Sequence, residues 1–217
     1  MNIPKTLAEL HHVYIMSCDA STLMDALESR GVPRQGSPDV YTYECQQLKV
    51  DDARAISERA TTNPLVLARR VFVVSAAVIM HEAQNALLKM LEDPRGNAVF
   101  FFLVPFPERL LSTFRSRAHI ITSVEEKEGP HKTDTDAMRF LKAKPAERLT
   151  MLELFTKKRK DDEERDFSGI LLFLDELERA MGTRNPEGLR AVYRAKRYVT
   201  DKGALVKPLF EQVALLS

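Results

Sequence analysis

Two uninterrupted apolar runs, VFVVS at 71–75 and AVFFFLV at 98–104, constrain this chain more than anything else in it. Neither alternates with polar residues, and both are rich in β-branched and aromatic side chains. Each therefore reads as a strand covered on both faces. Such a strand needs a layer on either side, which a parallel sheet flanked by helices supplies. Three shorter runs fit the same sheet: VYIM at 13–16, VYTYE at 40–44 and HIIT at 119–122. Helical patterns lie between them. STLMDALESRG (21–31) stops on Gly31, and VDDARAISERAT (50–61) opens with acids that suit a helix dipole. MHEAQNALLKMLEDP (80–94) sets Met80, Ala83, Ala86, Leu87, Met90 and Leu91 on one face and ends at Pro94. The expectation is a three-layer α/β domain with a parallel sheet over residues 1–123.

After residue 124 the pattern changes. EEKEGPHKTDTD (125–136) is polar, holds Gly and Pro, and reads as a connection, so 124–145 is taken as a linker. Beyond it the signals are helical. Pro145 suits the first turn of PAERLTMLELF. FSGILLFLDELERAM (167–181) carries Phe167, Ile170, Leu171, Leu174, Leu177 and Met181 at helical spacing, and GLRAVYRAKRYVT (188–200) and ALVKPLFEQVALL (204–216) follow. A second, all-helical domain is expected over 146–217.

Composition serves mainly to exclude. A formal net charge of +1 puts no basic excess around the whole chain, so contact with DNA must be local or made through partners. Cys18 and Cys45 form no CxxC knuckle and fit a reducing compartment. The apolar run near the N-terminus is too short for a signal peptide, and nothing approaches the ~18 apolar residues of a membrane span. A cytoplasmic protein without a membrane partner is expected. His11 and His12 have no acid or cysteine nearby, so no metal site is assigned, and the mixed-sign run at 157–166 reads as a solvated loop.

The segment HEAQNALLKMLEDPRGNAVFFFLVPFPERLLSTFRSRA (81–118) closely resembles the core of the delta-prime and gamma/tau clamp-loader subunits of bacterial DNA polymerase III, an AAA+ (P-loop-like) family. Those subunits carry a similar AANALLK-LEEP helix, a hydrophobic strand, then NPERLLPTIRSRC. The resemblance extends upstream through VDDARAISERATTNPLVLARRVFVV (50–74). It also reaches AVYRAKRYVTDKGALVKPLFEQVALL (191–216), which resembles the helical collar of those complexes. It implies that 124–145 is the remnant of a lid domain. In a collar helix, Arg190, Arg194, Lys196, Arg197 and Lys202 are expected to line subunit contacts or face water.

The departures from the family pattern concern ATP. A P-loop needs GxxxxGK[ST], because small residues let backbone amides wrap the phosphates and the lysine neutralises them. Here VYIM leads into SCDASTLMDALESRG (17–31), without a lysine and without a glycine before Gly31. Ser75, Ala76 and Ala77 stand where the family has an acidic pair after its third strand, and Pro105 and Phe106 replace a polar sensor. Only PRQGSPD (33–39) lies where the family inserts its cysteine zinc module. The expectation is a subunit with no bound cofactor and no ATPase activity of its own.

What survives is FRSRA (114–118), matching the family's RSRC. The second arginine of that element reaches the ATP of the adjacent subunit, and by position it is Arg117, supported by Ser116 and Arg115. Guanidinium suits the task because it stays charged and grips two phosphate oxygens at once. Without the surrounding pattern these arginines would read as the solvated end of a helix. The resemblance thus implies a delta-prime-like, non-catalytic subunit offering an arginine finger to gamma/tau-type ATPase subunits. Its partners would include a delta subunit, with sliding clamp and primed DNA reached through the complex. A delta-like role, a repurposed interaction module, or ATP held by an unfamiliar loop at 17–22 are the alternatives.

Overall fold

All five expected strands form, and they pair in parallel in the spatial order β2-β3-β4-β1-β5. The computed structural model describes residues 6–93, 97–121, 132–156, 167–182, 185–201 and 203–217, and these divide between two compact units, Met1–Glu126 and Lys127–Ser217. In the first unit the elements run β1 (Val13–Met16), α1 (Ala20–Glu28), β2 (Val40–Leu48), α2 (Val50–Ala60), β3 (Arg70–Ile79), α3 (His81–Glu92), β4 (Ala98–Leu103), α4 (Ser112–Arg115) and β5 (His119–Ile121). β4 sits between β3 and β1, with Phe100 level with Phe72 on one side and Val13 on the other. Every β4 residue is buried.

The two faces of β4 serve two cores. Phe100 and Phe102 pack with Phe72, Ile56 of α2, Leu87 of α3 and Phe114 of α4. Phe101 points the other way, toward Tyr14 and the α1 residues Leu23, Met24 and Leu27. The stacked Tyr14 and Phe101 rings lie 5.1 Å apart. Burial of apolar area on both faces drives this layering, at about 25 cal/mol per Å² removed from water. Helix α1 stops where the sequence supplies a residue free to adopt positive φ: Gly31 has φ 82. The Val32 N–H then reaches back to the Leu27 carbonyl at 3.1 Å, closing the turn over two buried side chains.

Three stretches differ from expectation. β2 and β3 are longer than the runs at 40–44 and 71–75, because Cys45, Gln47 and Leu48 stay in register with Ala76, Val78 and Ile79. Ser75, Ala76 and Ala77 therefore lie within β3 rather than beyond it. At 124–145, the described residues from Lys132 form a helix, α5 (Lys132–Lys142), where the polar composition at 132–136 suggested open connection. Its apolar side, Ala137 and Phe140, is fully buried, and the Phe140 ring meets Phe173 edge-on at 5.5 Å. The charge run 157–166 and Lys202 lie outside the described residues.

The second unit is helical throughout its described residues: α5, α6 (Pro145–Thr156), α7 (Phe167–Met181), α8 (Pro186–Tyr198) and α9 (Val206–Leu216). α7 packs against α5 and α8, and α9 packs against α6 and α8. Arg148 of α6 donates to the carbonyls of Phe140 at 3.0 Å, Leu141 at 2.8 Å and Ala214 at 3.3 Å, capping the C-terminal ends of α5 and α9. Gly188 is required by close approach: a Cβ there would come within 2.7 Å of the Leu216 carbonyl oxygen. Among the described residues no helix is long and apolar enough to cross a membrane.

Two buried ionic side chains hold the loops of the first unit. Asp39, 1% exposed, accepts backbone N–H bonds from Leu65 (2.8 Å), Val66 (2.6 Å) and Leu67 (2.8 Å). Arg69 donates to the carbonyls of Leu10 at 2.5 Å and Ala98 at 2.7 Å, and one of its Nη atoms lies 2.9 Å from His12 Nδ1. Burial pushes the Asp39 carboxyl up, but the three amides and the nearby Arg70 charge outweigh it and hold it below the ordinary value. Because the folded value is the lower one, this stability is complete above the unfolded carboxylate range and fades as pH falls through the folded value. Asp39→Asn should therefore cost about 3 kcal/mol at neutral pH, and the difference from wild type should shrink on acidification. Urea titrations across a pH series measure both, and a pH-independent difference would refute the assignment.

Candidate functional site

The RSR element occupies one short helical turn and its exit. Three anchors fix that turn, each readable from residue chemistry. Phe114 in the middle of α4 is fully buried and meets the Phe102 ring edge-on at 5.2 Å, so the turn is pinned to the central strand. Gln84, 4% exposed, donates from Nε2 to the Ile79 carbonyl at 2.8 Å and accepts the Leu111 N–H at its Oε1 at 2.8 Å. Leu111 immediately precedes α4, so one amide side chain joins the end of β3 to the start of the turn. The third anchor is Ala118, which packs against the core and starts the chain into β5.

With the root held, the polar side chains project outward. Arg115, Ser116 and Arg117 are all exposed. Ser116 Oγ donates to the Thr113 carbonyl at 3.1 Å, and Arg117 Nη1 donates to the same carbonyl at 2.7 Å. Arg117 Nη2 also meets Glu92 Oε1 at 2.5 Å, with the two side chains 35% and 51% exposed. Glu92 closes α3, where the helix dipole disfavours a negative charge, so the guanidinium relieves that cost. A pair this exposed contributes at most about 1 kcal/mol and is easily exchanged for a better anion. The structure thus places the three expected residues together on a rigid root, and adds Gln84, Glu92 and Thr113, which the sequence reading left unassigned. Gln84 did carry a signal. It is a polar residue inside the apolar stripe of α3, and a buried amide needs partners.

The carboxyl ends of β1 and β4 form the place where an open α/β sheet ordinarily receives a ligand. Residues 17–19 alone connect β1 to α1. Ser17 Oγ donates to the Pro105 carbonyl at 3.2 Å, clipping the chain after β1 to the chain after β4. Asp19 stands at the N-cap of α1, so a carboxylate occupies the helix start where a phosphate would seek positive potential. Cys18 between them is half-buried, and burial together with the Asp19 charge pushes its thiol up. Ser75 and Ala76 are paired into the sheet. Among the described residues no group of three or more His, Cys, Asp or Glu is placed to hold a metal ion.

The sequence model of the family described as DNA polymerase III, delta subunit, matches residues 9–126. DNA polymerase III subunit delta' of Escherichia coli (strain K12) is 40% identical over 88 residues, covering 38% of this chain and 26% of that protein. DNA polymerase III subunit gamma/tau of Mycobacterium tuberculosis (strain ATCC 25618 / H37Rv) is 42% identical over 71 residues, 32% of this chain and 12% of that protein. The matched region thus spans 26% or less of the length of these curated relatives. Of solved structures, a DNA polymerase III gamma subunit-related protein of Thermotoga maritima aligns with TM-score 0.46 at 16% identity, over 94% of this chain and 92% of that one. The DNA clamp loader delta protein of Bacillus subtilis aligns with TM-score 0.40 at 16% identity, over 97% and 60%.

Three substitutions separate root from tip. Gln84→Leu strands the Leu111 N–H and the Ile79 carbonyl and should cost about 2 kcal/mol, seen as a lower urea midpoint at unchanged slope. Asn85→Ala, one residue along on the exposed side of α3, should stay within about 0.5 kcal/mol. Glu92→Gln should cost no more than about 1 kcal/mol. Equal losses at 84 and 85 would remove Gln84 from its anchoring role.

Proposed function

We propose a role that rests on one premise: this chain belongs to the family described as DNA polymerase III, delta subunit. It acts as a delta-prime-like clamp-loader subunit that binds no nucleotide of its own and extends Arg117 to the ATP of a neighbouring gamma/tau-type subunit. Its partners are those ATPase subunits and a delta subunit, with the sliding clamp and primed DNA reached through the complex. As part of that replication machinery it works in the cytoplasm. The observation that carries this reading is the contrast within one turn: a root pinned by Phe114 and Gln84, and an exposed guanidinium whose acidic partner is itself exposed.

Magnitudes favour the exchange of partners. The exposed pair with Glu92 contributes about 1 kcal/mol or less. A finger supplied in trans to a transferring phosphoryl group contributes ~10³-fold or more in rate. Arg117 would leave Glu92 for a triphosphate because the phosphate oxygens carry more charge and accept both N–H groups of the fork. Arg115 and Ser116 act by positioning, Ser116 through the turn it closes on Thr113. The silent half of the reading is supported by the short 17–19 connection, the acid at the start of α1 and the Ser17–Pro105 clip. They also argue against ATP seated in a loop at 17–22.

The test is reconstitution with the cognate ATPase, delta and clamp subunits. Arg117→Ala should lower the DNA-stimulated ATPase rate several-fold or more while the complex still assembles on a pull-down, and Arg117→Lys should not restore it, because an ammonium lacks the fork. Equal rates for wild type and Arg117→Ala would remove the finger. Separately, the isolated chain should show no saturable binding of a fluorescent ATP analogue; micromolar affinity there would overturn the nucleotide-free assignment.

A further inference from the structure

One face of α8 has no part in the role just described. Arg190, Arg194 and Arg197 are exposed and recur at intervals of four and three residues. At 3.6 residues per turn they share an arc of about 60° and span about 10 Å along the helix. No carboxylate pairs with any of them among the described residues. Arg194 Nη1 donates to Gln212 Oε1 at 3.2 Å, which steadies the side chain without neutralising it. Two acids of α7 are already engaged. Asp175 and Glu178 lie 2.6 and 2.7 Å from Lys196 Nζ, and Asp175 also meets Arg179 at 2.8 Å. Glu187 and Asp201 lie beyond the two ends of the stripe. Tyrosines flank it: Tyr193 is 57% exposed with its hydroxyl held by Glu178, and Tyr198 is 42% exposed beneath the Arg197 guanidinium at 5.4 Å.

We propose that this face of α8 binds the backbone of single-stranded nucleic acid, with the three arginines on successive phosphates and Tyr193 and Tyr198 offering rings to unstacked bases. Unpaired guanidinium groups in one line match a line of phosphates. The aromatic flanks select a single strand, because only there are base faces open for stacking. An acidic peptide would satisfy the arginines but leaves the two rings without a reason. The contact is independent of Arg117 and resides in the C-terminal unit.

The test uses the full chain and a fluorescein-labelled oligodeoxynucleotide, read by anisotropy between about 50 and 200 mM salt. Three phosphate contacts predict a log–log salt slope near −2 and a loss of affinity of roughly 20-fold across that range. The triple variant R190E/R194E/R197E, altered only at exposed positions, should keep the wild-type circular dichroism and bind at least tenfold more weakly with a flattened slope. Tyr193→Ala should weaken binding about fivefold at unchanged slope, since stacking releases no counterions. Arg117→Ala should leave binding unchanged. Four results would overturn the assignment: no binding by wild type at the lower salt, equal binding by the triple variant, equal affinity for duplex with no effect of Tyr193→Ala, or polyglutamate bound at the stripe in place of DNA.

Discussion

A strand with no exposed face dictates most of this architecture. Ala98–Leu103 carries phenylalanine on both sides of the sheet, so helices must cover both, and the strand must lie inside the sheet with neighbours on either edge. Phe100 and Phe102 gather α2, α3 and α4 on one side, while Phe101 and Tyr14 gather α1 on the other. Phe114 would have nowhere to go without Phe102, and without Phe114 the turn that carries Arg115, Ser116 and Arg117 would lose its seat. Those three residues are thus an extension of the core, placed at the surface by a side chain that is wholly interior.

Polar groups then set what burial alone leaves loose. Gln84, Asp39 and Arg69 each tie segments distant in sequence through backbone groups: Gln84 joins β3 to α4, Asp39 holds the loop at 65–67, and Arg69 reaches Leu10 and Ala98. A buried amide or charge left unpaired costs more than a satisfied one returns, so each specifies a geometry more strictly than an apolar contact can. The exposed Arg117–Glu92 pair is the opposite case. It is exposed on both sides and therefore weak, and it fixes no geometry.

The legible part was the part written in periodicity and in ordered motifs. The five strands, the helices flanking them, the stop at Gly31 and the amphipathic stripe of 167–181 all follow from spacing and residue type. Less legible was anything that depends on a neighbour far along the chain. β3 continues through Ser75–Ala77 because β2 continues beside it, and a run of small residues does not announce that. The start of helix α5, at 132–136, was hidden by its polar residues, while the helix is held by Phe140 meeting Phe173. The pairing of Glu92 with Arg117 had no local sign, since 24 residues, a strand among them, separate the two.

The basic character of 190–197 was plain in the sequence, yet its partners were not. Only packing shows that Lys196 is consumed by Asp175 and Glu178 while the three arginines, along one arc, have no carboxylate partner among the described residues. By itself, the sequence determined the layered sheet and the helical C-terminal part, because these rest on local chemistry repeated along the chain. The tertiary structure decided which of the described charges find a partner, which carboxylate is caged and how the turn at 112–117 is held. Those outcomes depend on through-space distances between residues that the order of amino acids does not bring near one another.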